Sequence, residues 1–331
     1  MQTLTEIRQL LDSASLKPRR QFGQNFLIDL NHMRQLLELA DVQADRTVLE
    51  VGPGTGSLTE ELLRRASHVV ACEIDRGLAE LLGEHFADQE NFTLIRADAL
   101  ASKTRINPDL LKALGPEADL VANLPYQIAT PLVADCLHSS WRAAVARPPA
   151  GDGDARKGAK AAAGKHPLGP AGWETPAAWI VPADQAPATR FERLTFTVQR
   201  EVAQRLLACP GTRDYGPVTV MVKLLATPTA GPVLSPKAFF PAPNVYSQML
   251  RLDFAPVAAG RLRSADTLQA VLAVTFRHRR KQLASAVKAR DFPFERAAFE
   301  SALTEAGANP TDRAEALAPE QFRTIANRLG D

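Results

Sequence analysis

The residues in this chain best suited to chemistry are four consecutive ones, Asn123-Leu124-Pro125-Tyr126, at the end of a buried-strand pattern, Ala118 to Ala122. The Asn123 side-chain oxygen and the Leu124 carbonyl are acceptors that can hold the protons of an amino group. Pro125 lacks an N–H and fixes φ, which stiffens the turn. Tyr126 offers a face on which a base can stack, as enzymes acting on extruded bases require. Taken alone, the same four residues also describe an ordinary strand-end turn with a packed tyrosine. Three features upstream weigh against that bland reading.

The first is "LEVGPGTGSLTEEL", which sets Gly52, Gly54 and Gly56 between a strand pattern and a helix pattern. Glycines let the backbone turn sharply and approach a ligand without a Cβ clash. A dinucleotide fingerprint would need glycine where Ser57 stands. The spacing is instead E-x-G-x-G-x-G from Glu50, which resembles the first motif of class I S-adenosylmethionine (SAM) methyltransferases. The second feature is Glu73, closing the next strand pattern where a ribose-binding acid sits in such folds. The third is Asp98, in "IRADAL", which can accept from an adenine amino group. Methyl transfer from a sulfonium needs alignment and charge stabilisation more than acid–base work. Acceptors aimed at an exocyclic adenine nitrogen favour its pyramidal, reactive form.

Longer stretches narrow the resemblance. "RRQFGQNFLID", "NLPYQIATPL", "FTVQREVAQRL", "YGPVTVMVK", "PKAFFPAPNVYSQMLRL", "FRHRRKQLASAV" and "GANPTDRAEALAPEQFRTIANRL" are similar to the KsgA family of rRNA adenine dimethyltransferases. The resemblance implies SAM as cofactor. It also implies dimethylation at N6 of two adjacent adenosines in the 3′-terminal hairpin of small-subunit (16S) rRNA, with a role in subunit assembly. It places Gln24, Asn25, Leu27, Gly52, Glu73, Asp98 and Asn123 at the cofactor, and Phe239 opposite Tyr126 around the base, although Phe240 next door blurs that register. Asn244 and Tyr246 depart from the Lys and Asp of many relatives. An Erm-like enzyme of the large subunit and a non-catalytic assembly or transcription factor on the same fold remain alternatives.

The elements that must position these residues alternate strand and helix from Val48 onward. That rhythm predicts an α/β, Rossmann-like domain over 1–256, with a mostly parallel sheet, an antiparallel edge and ligands at the strands' carboxyl ends. "GPVTVMVKLLAT" and "NVYSQMLRLDF" read as further strands. Beyond Pro256 the pattern is helical, and residues 257–331 are expected to form a separate small RNA-binding domain. Between them, 28 of the 50 residues from Trp141 to Arg190 are Ala, Pro or Gly, which predicts a disordered insertion. Its scattered Arg156, Lys157, Lys160 and Lys165 are expected to be merely solvated.

Net charge is only +2, so any RNA surface must come from local clusters. "KPRRQ" supplies Lys17, Arg19 and Arg20 near the expected opening. "FRHRRKQ" places Arg277, Arg280 and Lys281 on one face if it is helical, suited to phosphate contacts. The three cysteines form no CxxC pair, so no metal site or disulfide is expected, and all three read as buried thiols. With no signal sequence and no apolar run of about 20 residues, the chain is expected to be soluble and cytoplasmic, and by the family resemblance monomeric.

Overall fold

The computed structural model describes residues 1–146, 188–277, 279–287 and 292–330. In chain order the elements begin with α1 (Leu4–Ser13), β1 (Phe26–Leu27), α2 (Leu30–Ala40), β2 (Thr47–Val51), α3 (Ser57–Leu63), β3 (His68–Glu73), α4 (Arg76–His85) and β4 (Phe92–Arg96). Then come β5 (Leu100–Ser102), β6 (Arg105–Ile106), α5 (Pro108–Leu114), β7 (Glu117–Asn123), α6 (Ala129–Ala146), β8 (Arg190–Gln199), α7 (Arg200–Leu207) and α8 (Pro217–Leu225). The chain closes with β9 (Ala226–Leu234), β10 (Phe239–Phe240), β11 (Ser247–Phe254), α9 (Pro256–Ala259), α10 (Ala265–Phe276), α11 (Arg296–Glu305) and α12 (Pro319–Leu329).

Seven strands form one sheet in the order β4-β3-β2-β7-β8-β11-β9. The pairs from β4 through β8 are parallel, and β11 runs antiparallel to both β8 and β9. The reversed strand therefore lies second from the edge. The order reverses at β2, whose neighbours are β3 and β7, and this switch point opens a crevice at the carboxyl ends of both. Parallel strands covered by helices on both faces need continuous apolar runs, as in β7, where Ala118 through Ala122 are all buried.

Three readings of the sequence are corrected here. "GPVTVMVK" is a helix, α8, because Pro217 at its first position favours a helical start and its neighbours are other helices, α6, α7, α10 and α12. Buried on nearly every side, it shows no amphipathic period, so its β-branched run mimics a strand. The Ala/Pro/Gly-rich segment starts later than expected. Helix α6 runs on to Ala146 because Trp141 is buried and its Nε1 donates to the Leu262 carbonyl at 3.0 Å. Thr189 and Arg190 already belong to the ordered β8 approach, while residues 147–187, including the four basic ones, lie outside the described residues. Finally, the helix through "FRHRRKQ" stops at Phe276, and the chain turns so that Leu283 N–H donates to the Asp312 carbonyl at 2.8 Å. Leu283 is thereby buried.

The expected boundary at 256/257 falls inside α9. One hydrophobic cluster runs from sheet residues such as Leu120 and Phe196 through α8 to Leu268, Phe299 and Phe322 of the C-terminal helices. Among the described residues no helix is long and apolar enough to cross a membrane. Cys72 and Cys136 are buried as expected, whereas Cys209 is exposed, just past the end of α7.

Candidate active site

The crevice at the switch point holds a cavity of about 340 Å³, floored by the β2, β3 and β7 ends and rimmed by the segment before β1. Gly52, Gly54, Glu73, Asp98 and the run from Asn123 to Tyr126 all line it, as do Gln24, Asn25 and Leu27. Residues up to 102 positions apart in the chain thus meet in one hollow.

The loop after β2 takes its shape from its glycines. Gly52 and Gly54 have φ of +72° and +63°, a region that favours glycine. A Cβ on Gly54 would lie 2.7 Å from the Phe26 ring, and one on Gly52 3.2 Å from Pro125. The loop is therefore wedged between the N-terminal segment and the N-L-P-Y turn. Gln2 completes it. Nearly fully buried, it donates from Nε2 to the Thr55 carbonyl (3.0 Å) and accepts from Thr55 Oγ1 (2.7 Å), while its backbone N–H reaches Ser57 Oγ (2.8 Å). No sequence signal marked Gln2, since one glutamine near a chain's start matches no motif.

Two buried acids support the loop differently. Glu50 accepts from Thr59 Oγ1 at 2.6 Å, and burial pushes its carboxyl up to about 8, so it is largely neutral near pH 7 and acts as a strut beneath the loop. Glu73 accepts from the Asp75 N–H (2.8 Å) and the Gly54 N–H (3.4 Å). Burial raises it to about 7 despite those bonds. Asp98 is exposed, with Oδ1 accepting from the Leu100 N–H.

The N-terminal motif is tied to both sides of the cavity. Gln24 accepts from the Arg19 N–H (2.7 Å) and donates to Asp75 Oδ2 (3.2 Å), the carboxylate that caps α4. The Asn25 carbonyl accepts from Asn123 Nδ2 at 2.8 Å. A carbonyl can only accept, so this bond fixes the Asn123 amide and leaves Oδ1 as its acceptor. Leu124 N–H donates to the Thr197 carbonyl at 3.2 Å, extending the β7–β8 ladder past Asn123. Tyr126 shares a 2.7 Å hydrogen bond with Ser247 Oγ, and burial raises its phenol above the ordinary value.

Phe239 is placed differently from the rest. It pairs with Leu27 across β10 and β1, is 3% exposed in the core around Met33 and Leu37, and does not line the cavity. Phe240 lies 4.9 Å beneath the Arg8 guanidinium. Of the basic residues, Lys17 is exposed and Arg19 Nε lies 3.5 Å from Asp75, while Arg20 opens the short turn Arg20–Phe22 before the cavity rim. Arg277, Arg280 and Lys281 do not share a helical face. They line one surface hollow with Arg213, Arg279 and Arg313. Among the described residues no group of acids, histidines and cysteines could hold a metal ion.

This donor set suits a SAM-type cofactor. A strand-end carboxylate is available for a ribose diol, a glycine loop permits close backbone approach, and Asp98 offers an acceptor for an adenine amine. The model for the ribosomal RNA adenine dimethylase family matches residues 15–331. The chain belongs to that family. Its members include proteins named ribosomal RNA small subunit methyltransferase A. The one from Clostridium botulinum (strain Okra) is 30% identical, with 98% of each chain covered. The one from Moorella thermoacetica is 32% identical, covering 97% of this chain and 95% of its own. The fold is shared with a dimethyladenosine transferase from Plasmodium falciparum (TM-score 0.60, 19% identity, 90% and 94% covered) and with the 23S rRNA methyltransferase ErmE (TM-score 0.55, 24% identity, 93% and 100% covered). As a family member, this dimethylase is a SAM-dependent rRNA adenine methyltransferase with a class I fold.

Proposed function

We propose that this dimethylase methylates N6 of two adjacent adenosines, twice each, in the 3′-terminal hairpin of small-subunit (16S) rRNA. It does so in the cytoplasm, as a monomer, during small-subunit assembly. The observation that carries the chemistry is the fixed Asn123 amide. With Nδ2 committed to Asn25, Oδ1 is a preorganised acceptor for an amine entering beside it. Bound SAM supplies an electrophilic methyl group whose leaving group is a neutral thioether. Gln24, Asn25, Leu27, the Gly52–Gly56 loop, Glu73 and Asp98 hold it, with Glu50 bracing the loop from below. Asn123 and the Leu124 carbonyl accept from the target amine, Pro125 stiffens the turn, and Tyr126 stacks on the base. Phe239 supports β1 from the core behind that site. Lys17, Arg19 and Arg20 in the segment before β1, with Arg277, Arg280 and Lys281 just after α10, contact RNA phosphates.

The small-subunit target rests on the relatives that span nearly the whole chain. The test is methylation of unmethylated small and large subunits by purified protein, with modified adenines mapped. Two adjacent dimethylated adenines near the 3′ end of small-subunit RNA are expected. Modification of large-subunit RNA would establish the Erm-like reaction instead, and SAM binding without any transfer would point to an assembly factor.

A further inference from the structure

Beside the catalytic turn, along the same edge of the sheet, lies a second hollow with no assigned role. The β-ladder fixes its position. Asn123 pairs with Thr197 on β8, and two residues further Gln199 pairs with Ser247 on β11, the hydroxyl that holds Tyr126. Arg200, Glu201, Gln204, Asn244, Val245 and Tyr246 line the hollow together with Gln199.

Its chemistry is that of a nucleotide site. Tyr246 is 53% exposed and Val245 42%, so an aromatic and an aliphatic surface face water side by side. The Tyr246 carbonyl accepts from the Arg200 N–H at 2.9 Å, which fastens this loop to the start of α7. Arg200 is exposed and forms no ion pair among the described residues, because the adjacent Glu201 is taken by Arg205 at 3.0 Å. Gln199, the residue before α7, supplies no side-chain cap, and the acidic Glu201 of the helix's first turn is offset by Arg205, which leaves Arg200 as the cation facing the hollow. Gln204 and Asn244 carry both donors and acceptors for base edges.

We propose that this hollow binds the unpaired nucleotide next to the target adenine, its base on Tyr246 and its phosphate at Arg200. The inference rests on the function proposed above and adds a specific subsite to it. Extruding a base costs stacking and pairing, and contacts to the flanking nucleotides help to set substrate choice. A neighbour stacked one strand away would hold the RNA while the target sits on Tyr126.

The test compares Tyr246→Ala, Tyr246→Phe and Arg200→Ala in methylation of unmethylated small subunits, with SAM affinity measured by calorimetry. Tyr246→Ala should raise the KM for subunits about 5- to 150-fold, the span of measured base–aromatic stacking, and Tyr246→Phe should restore it. Arg200→Ala should weaken subunit binding and lower its salt slope by about one, and SAM affinity should hold in all three. A wild-type subunit KM in Tyr246→Ala, or a loss that phenylalanine does not rescue, would overturn the subsite. Fluorescence of single-stranded RNA containing 2-aminopurine, quenched on stacking, reads the subsite without methylation. Quenching that needs Tyr246 in a protein that fails to methylate small subunits would keep the subsite and reject the proposed substrate. Quenching unchanged by Tyr246→Ala would reject the subsite alone.

Discussion

The hydroxyls of Tyr126 and Ser247 lie 2.7 Å apart and join the turn after β7 to the first residue of β11 across 121 positions of sequence. The ring proposed to stack on the target base is thus held by its edge. Ser247→Ala and Tyr126→Phe remove the same bond and should each lower the single-turnover methylation rate about 2- to 12-fold, as for one hydrogen bond. Because they remove one interaction, the double variant should be no slower than the worse single one. Tyr126→Ala should lose far more, since the stacking face goes with it. Additive losses in the double variant would show that Ser247 does not act through Tyr126.

The Asn123 side chain ties the turn after β7 to the N-terminal segment through the Asn25 carbonyl, which joins the proposed target and cofactor sites. Asn123→Ala removes the acceptor and leaves that carbonyl unpaired. At saturating SAM the rate should fall about 100-fold or more, the usual cost of deleting one preorganised polar group at a reacting centre. SAM affinity, measured by calorimetry, should fall much less. A rate that recovers fully at high SAM would make Asn123 a binding residue only.

How much of this was legible in the sequence follows from what each residue depends on. Glu50, Gly52, Gly54, Glu73, Asp98 and Asn123 to Tyr126 are fixed by local spacing at strand ends, and the structure gathers them around one cavity, whereas Gly56 lies outside its lining and packs towards Phe86. Gln2 and Ser247 act through partners far away in the chain, Thr55 and Tyr126, which spacing cannot reveal. The family resemblance places Phe239 beside the base, but its pairing with Leu27 on β1 carries that ring into the core. α8 reads as a strand because burial of all its residues but Pro217 and Lys223 blurs the helical period. The basic run after α10 was misread because the ladder to Arg313 and the Arg279–Glu315 pair pull the chain out of its helix.

The C-terminal helices are latched to the sheet domain by an ionic cluster. His138 on α6 is buried, its Nε2 3.3 Å from Asp266 on α10 and its Nδ1 3.6 Å from Asp135, with Arg105 3.0 Å from the same ring. Burial alone would lower the His138 pKa, but the nearby carboxylates of Asp135 and Asp266 outweigh it and the net shift is upward. The sign follows: this contribution is complete below the unfolded value near 6.5 and fades as pH rises through the higher folded value. Asp266→Asn should therefore lower the melting temperature by about 2–4 °C under mildly acidic conditions, and by less at alkaline pH. An equal loss at every pH would show that the charge pair does not latch the helices.

The hollow formed by Arg213, Arg277, Arg279, Arg280, Lys281 and Arg313 gathers charge from three separate segments. Arg279 is braced by Glu315 (2.7 Å) and the Thr212 carbonyl (2.8 Å), so it is more a support than a free contact. Arg280→Ala and Lys281→Ala together should weaken subunit binding and reduce its salt slope by about two, with SAM affinity unchanged. Filter binding across a salt series checks this, and an unaltered slope would remove these residues from the RNA surface.

The proposed ribose contact of Glu73 predicts that SAM binding depends on pH. Burial holds its folded-state pKa at about 7, above the ordinary 4.5. Without cofactor, the folded protein therefore keeps a proton there that the unfolded chain loses, and stability declines as pH rises from about 4.5 to about 7. Ribose hydroxyls donating to this carboxyl favour its ionised form, so binding is coupled to loss of that proton. SAM affinity should tighten between about pH 6 and about pH 8 and level off once Glu73 is ionised. Glu73→Gln should bind more weakly at the upper end and flatten the profile. Glu50, held neutral by burial at about 8, does not add a second negative charge beside it over most of this range. A wild-type affinity that is flat across the range, measured by calorimetry in buffers of differing ionisation heat, would mean that Glu73 does not carry the ribose contact as a carboxylate. Proton release detected in those same buffers, lost in Glu73→Gln, is the result expected if it does.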